Sequence, residues 1–139
     1  MSLDILNQID RWPETAQQHL LALRALFHEV AQDAGIGPLD ESLKWCQPSW
    51  RPRKARMGTT LRLNWSPDAP AHLAAYVDCK TDLASQMSTR FPGQFHYDGR
   101  RAMSFALAQP MPEDAIRQLA LLTFTYHRAK RSACAPPCP

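Results

Sequence analysis

Apolar residues recur at three- and four-residue steps through Leu20, Leu23, Phe27, Val30, Ala31 and Ala34, which makes one apolar face of a helix. Trp12-Pro13-Glu14-Thr15 opens it: Pro13 suits a first helical position that needs no N–H, and Glu14 complements the positive helix end. Gly35 and Gly37 supply a stop and Pro38 prevents resumption, so the spacing predicts a helix over 13–34. The period then shortens. Leu61, Leu63 and Trp65 alternate with polar neighbours, the pattern of a half-buried strand, and His72–Cys79 reads as a second strand across the turn Ser66–Pro70. Thr81-Asp82 is expected to cap a short helix carrying Leu83, Met87 and Phe91, ended by Pro92-Gly93. Phe95–Tyr97 and Arg101–Phe105 flank Asp98-Gly99, a pair that tolerates the positive φ of a tight turn and predicts a second hairpin. Pro112-Glu113-Asp114 starts a final helix with Ile116, Leu119, Ala120, Thr123 and Tyr126 along one side and a basic end, His127–Arg131.

The resulting order is α-β-β-α-β-β-α. Hairpins rather than crossover units predict a two-layer α+β fold, with an antiparallel or mixed sheet of about five strands and helices packed on one face. One domain is expected over 1–131, followed by a proline- and cysteine-containing tail at 132–139 that is expected to be disordered. Between the first helix and the strands lies Glu41–Trp50, where Trp45 and Trp50 bracket Pro48. So much apolar area on a restricted backbone is either a plug of the core or the lip of a pocket. Trp45, flanked by Leu43 and the Pro48 turn, is expected in the core, and Trp50, beside the basic run, nearer the rim. Arg51–Gly58 reads as a basic, exposed hairpin loop.

Composition narrows the class without naming a chemistry. At 139 residues, 45% hydrophobic and 21% charged, the chain is long enough to bury a core without staples. It has no apolar run of membrane-spanning length, and Met1–Gln8 lacks the basic-then-apolar pattern of a secretory leader. No membrane partner and a cytoplasmic address are therefore expected, with the thiols of Cys46 and Cys79 buried rather than bridged. A net charge of +3 is mild for a nucleic-acid binder.

Four constellations carry candidate chemistry. Cys134 and Cys138 have three residues between them, neither a redox spacing nor, with no neighbouring His or Cys, a metal set. His72, Asp78, Cys79 and His127 contain the groups of a nucleophile-and-base set, although no local spacing brings them together. The run Trp50–Arg56, with Arg62 and Trp65, mixes bases and aromatics as single-stranded nucleic-acid sites do, against the plainer reading of a solvated loop. Trp45, Trp50, Arg62, Tyr97 and Arg100 are the candidate lining of a cleft at one end of the sheet, where a few basic donors in an apolar cavity would hold a small anion. The expected function is a non-enzymatic binding or accessory domain for a small anionic molecule or a protein partner, with no cofactor.

Glu41–Trp50, Gly58-Thr59-Thr60-Leu61-Arg62, Phe91-Pro92, Tyr97–Ala102 and Thr125-Tyr126-His127-Arg128 together resemble the bacterial YdhG-like family, a domain-of-unknown-function family, over residues 14–131. The resemblance implies a small α+β fold with overall likeness to frataxin. It also implies, as the alternative function, an iron chaperone supporting iron–sulfur assembly. Two positions depart from what it implies. Cys46 stands where the family pattern has glycine, and the first long helix carries only Glu14, Glu29 and Asp33, few carboxylates for a hard cation.

Overall fold

The computed structural model describes residues 1–134. Its centre is a six-stranded antiparallel sheet in the order β1-β2-β3-β4-β6-β5, made of β1 (Leu39–Lys44), β2 (Gln47–Pro52), β3 (Leu61–Asn64), β4 (His72–Tyr76), β5 (His96–Asp98) and β6 (Ala102–Ala106). Five helices among the described residues complete it: α1 (Leu3–Ile9), α2 (Glu14–Asp33), α3 (Leu83–Arg90), α4 (Glu113–Phe124) and α5 (Tyr126–Cys134). None of the helices is long and apolar enough to cross a membrane. The α+β class and the antiparallel pairing agree with the sequence reading, while the strand count and element order differ at three places.

The first difference is α1, a helix whose seven residues are too few for a periodic signal; Ser2 Oγ caps it by accepting from Ile5 N–H, and Ile5 and Ile9 are buried. The second is the β1–β2 hairpin, which occupies the stretch containing both tryptophans. Lys44 pairs with Gln47, leaving a two-residue turn in which Trp45 and Cys46 both take left-handed backbone, with φ of 55° and 61°. Such turns match the twist of antiparallel strands but ordinarily need Asn and Gly, and neither is present to signal one here. The third is the C-terminal helix, which is broken at Thr125. There the hydroxyls of Thr123 and Thr125 donate to the carbonyls of Leu119 and Leu121, 2.7 and 2.6 Å away, and helix α5 starts afresh at Tyr126. The expected tail at 132–139 thus begins inside α5, and residues 135–139, with Cys138, lie outside the described residues.

The break is clasped by the β2–β3 loop, which is less exposed than its basic composition suggests. Met57 and Gly58 are buried, Met57 O accepts from Arg128 N–H at 3.0 Å, and Thr59 N–H donates to Thr123 O at 2.9 Å. A Cβ on Gly58 would lie 2.2 Å from the backbone oxygen of Phe124, so only glycine lets the loop approach this closely.

Strand alternation divides the sheet into two faces. Leu61, Leu63, Leu73, Ala75, Met103 and Phe105 are buried beneath the helices, while Arg62, Asn64, Ala74, Tyr76, Ala102 and Ser104 occupy the opposite, half-exposed face. Trp50, paired with Leu61, points into the core and is completely buried. Phe27 of α2 meets it edge-on at 5.2 Å and in turn meets Phe124 of α4 at 6.0 Å, so one aromatic chain joins sheet, α2 and α4.

Glu41 sits opposite Trp50 across the hairpin and completes the junction. Its carboxylate accepts from Trp50 Nε1 at 2.8 Å, from His28 Nε2 at 3.1 Å, and from Nε and Nη2 of Arg24. Arg24 and His28 are four apart on α2 and therefore share the face turned to the hairpin. Burial by itself would raise the carboxyl pKa, but the three donors and the Arg24 charge outweigh it and hold the group at about 2. A folded-state value below the unfolded one stabilises the fold above the unfolded pKa, and that stability is lost as pH falls from about 4.5 to about 2. The size is about 3 kcal/mol. Glu41→Gln is therefore expected to lower stability by about 2–3 kcal/mol at pH 7 in urea unfolding, with the gap to the parent shrinking steadily below pH 4.

Candidate functional site

The expected cleft residues do not form one site. Trp50 is core. Tyr97 lies on β5 with its side chain turned inward, where its hydroxyl donates to the carbonyls of Met87 and Phe91 at 2.9 and 2.7 Å. Burial raises its pKa, and its ring packs against Phe95, so it fastens the end of α3 to the sheet. Arg100 is exposed in the β5–β6 turn and lines no cavity with the others. Of the five, Trp45 and Arg62 are brought together.

Their meeting place is the end of the open face next to the β1–β2 turn. A cavity of about 490 Å³ is lined by Trp45, Gln47, Arg62, Tyr76 and Arg101, and an adjoining one of about 200 Å³ shares Trp45, Arg62 and Arg101 and adds Lys44, Thr59, Thr60, Asp78 and Cys79. Register explains the assembly. Arg62 pairs with Tyr76, and its guanidinium lies 5.7 Å from the Tyr76 ring centroid, a cation–π arrangement that holds the arginine flat against the sheet. Arg101 is the last residue of the β5–β6 turn, and its carbonyl accepts from Val77 N–H at 2.8 Å. Neither guanidinium is ion-paired with a carboxylate among the described residues. Asp78 is the acidic member of the lining, and its Oδ1 accepts from Lys80 N–H.

Trp45 forms the outer wall. It is 84% exposed, against 0% for Trp50, which reverses the roles expected from their neighbours in sequence. The reversal follows from the turn. Because Trp45 is a turn residue rather than a strand residue, its side chain leaves the pleat, while the register of β2 turns Trp50 inward beside Leu61. A large aromatic held in left-handed backbone and in water has no packing reason to be there, and such strain persists where a site requires it. Gln47 contributes a second unspent group, since its Oε1 is buried without a hydrogen-bond partner.

Three residues that build the site, Gln47, Tyr76 and Arg101, were missing from the sequence reading. A signal for Tyr76 existed: two-residue alternation puts it opposite Leu73, Ala75 and Val77 and hence on the Arg62 face. Arg101 depends on a three-residue turn, Gly99 to Arg101, which only the observed pairing of Asp98 with Ala102 reveals.

The other constellations come apart. Cys46 and Cys79 are exposed rather than buried, because Cys46 is a turn residue and Cys79 follows the end of β4. Cys79 shares its cavity with Asp78 but with no histidine; His72 begins β4, and His127 lies on α5. In the basic run, Trp50 points inward, Arg53 pairs with Asp40 at 2.8 Å, and Trp65 donates to Pro70 O, so bases and aromatics do not alternate on one surface. Among the described residues no group of three or more His, Cys, Asp or Glu gathers as a metal ion would require. Comparisons of the chain with protein-family models, curated proteins and solved structures found no match.

The two tryptophans should behave oppositely when truncated. Trp50→Ala is expected to cost about 3–5 kcal/mol in chemical unfolding, whereas Trp45→Ala should stay within about 0.5 kcal/mol of the parent and remove most of the iodide-quenchable tryptophan emission, leaving the share of the half-buried Trp65. Cys46→Gly, by relieving left-handed strain, should raise stability by about 1 kcal/mol in the same measurement.

Proposed function

We propose that this is a non-enzymatic binding domain whose ligand is a small planar organic anion, held at the end of the open sheet face by Trp45, Arg62, Tyr76 and Arg101. The observation that carries this reading is the exposed indole of Trp45, fixed in a strained turn beside two guanidiniums that have no carboxylate partner among the described residues. Each group has a role that its chemistry suits. The indole offers a rigid apolar face, the arginines offer forked donors that match a carboxylate, and Gln47 Oε1 accepts from a ligand hydroxyl or amide. Lys44, Arg62 and Arg101 outweigh Asp78 in charge, which favours an anion over a neutral molecule of the same shape. The cavity volume of about 490 Å³ lies within the ordinary range for small-molecule sites.

Titration of Trp45 emission with benzoate and with its neutral analogue benzamide tests the reading. Saturable quenching by benzoate that benzamide does not reproduce is expected, with Arg62→Ala and Arg101→Ala each weakening it by about tenfold. Equal responses to the two compounds, or benzoate binding untouched by both substitutions, would remove the anion site from consideration.

A further inference from the structure

The sheet order puts β5 and β1 at the edges, with no described strand beyond either. Three residues make β5, a shortness that discourages further pairing, whereas β1 runs for six and carries no proline. The turn fixes which backbone groups of β1 face outward. Trp45 and Cys46 form a two-residue loop with positive φ at both positions, so the flanking pair, Lys44 and Gln47, exchanges both backbone bonds. Alternation then turns Lys44, Ser42 and Asp40 toward β2 and leaves the N–H and C=O groups of Leu39, Glu41 and Leu43 facing out. Two observations agree with this. Pro48 and Pro52, which lack an N–H, stand opposite Leu43 and Leu39, and the bond from Arg53 N–H to Pro38 O, 3.0 Å long, keeps the same parity.

The side chains at this edge suit a protein surface. On the open face Asp40, Ser42 and Lys44 are exposed, with opposite charges two residues to either side of Ser42. Arg53 engages Asp40 through Oδ1, in a pair that is itself exposed. On the helix side α1 packs against β1 and β2, and Leu21 shares a face of α2 with Arg24 and His28, the residues that meet Glu41. Met1, Leu3, Leu6 and Leu21 are exposed, and with Trp45 they are the exposed large hydrophobic residues among those described. Apolar side chains left in water on the elements beside an edge strand mark an interaction surface. An inward charge on an edge strand ordinarily deters pairing, but the Glu41 carboxylate is already bonded to Trp50, His28 and Arg24 of its own chain.

We propose that β1 pairs antiparallel with β1 of a second copy of this chain, about a two-fold axis through Ser42. Glu41 and Leu43 then exchange backbone bonds with Leu43 and Glu41 of the second copy, using the groups that face outward. Asp40 falls opposite Lys44 of the second copy, at positions where no backbone bond crosses the seam and side chains approach most closely. The two-fold repeats that ion pair at the other end. A register centred on Glu41 would instead set like carboxylates against each other. The seam is short and its ion pairs are exposed, so the dissociation constant is expected at about 10–100 µM.

Sedimentation of the full chain at about 1 µM and about 200 µM tests this, with single chains expected on dilution and dimers at the higher concentration. Asp40→Lys sets lysines against each other across the seam and Lys44→Glu sets acids, so each variant alone should associate at least about tenfold more weakly. Both positions are exposed, and circular dichroism should show each variant folded. Mixed in equal amounts, the two variants restore both ion pairs and should form a heterodimer with about the parent's affinity, a rescue that a role in folding alone would not give. Amide exchange at Glu41 and Leu43 should slow at least about tenfold between the two concentrations, while Ser42, bonded to β2, stays slow at both. Single chains up to about 1 mM, or a parent-like dimer in either variant, would overturn the proposal. No association on mixing, or exchange at Glu41 and Leu43 that ignores concentration, would overturn it as well.

Discussion

Glu41 is the point at which helix layer and sheet are tied. Its carboxylate receives donors from α2 and from its own cross-strand neighbour, so a single side chain fixes the height of the helix over the hairpin and the rotamer of the largest core residue. Removing any donor would leave a half-buried carboxylate under-satisfied, which is costly; with all of them present the group ionises more readily than in water. The aromatic chain from Trp50 through Phe27 to Phe124 then carries the same registration to α4, and the bond from Arg128 N–H to Met57 O ties the β2–β3 loop to α5.

The open face inherits its layout from that registration. Once Trp50 is locked inward, the alternation of β2 and its pairing with β3 put Ser49 opposite Arg62 on the far side, and the pairing of β3 with β4 puts Tyr76 beside it. The short turn left between β1 and β2 forces Trp45 outward at the same end of the sheet. The pocket at that end therefore depends on a half-buried charge network on the opposite face, and weakening the network should disorder the site before it unfolds the chain.

Much of the frame was legible in the sequence because periodicity reports burial. The helix expected at 13–34 appears as Glu14–Asp33, and the β3–β4 and β5–β6 hairpins appear where alternation and Asp98-Gly99 placed them. What periodicity could not reach were features set by partners distant in sequence. The β1–β2 hairpin lacks alternation because β2 begins with Gln47-Pro48-Ser49 and buries Pro48, Ser49 and Trp50 in succession. Its turn uses Trp and Cys where turn chemistry expects Asn and Gly, so the one strong local cue was absent. The candidate site was half legible for the same reason. Trp45 and Arg62 stand out by residue type, but joining them to Tyr76 and Arg101 required the register, and rejecting Trp50 and Tyr97 required knowing which face each one turns to.

The central claim, that the Glu41 junction turns Trp50 in and leaves Trp45 out, is tested most directly by hydrogen exchange at the tryptophan indoles, followed by NMR at neutral pH. The Trp50 indole N–H, buried and bonded to the Glu41 carboxylate, should be protected to the level of the most stable core amides, while that of Trp45 should exchange at the rate of an unstructured peptide. Rapid exchange at Trp50 together with protection at Trp45 would contradict the account.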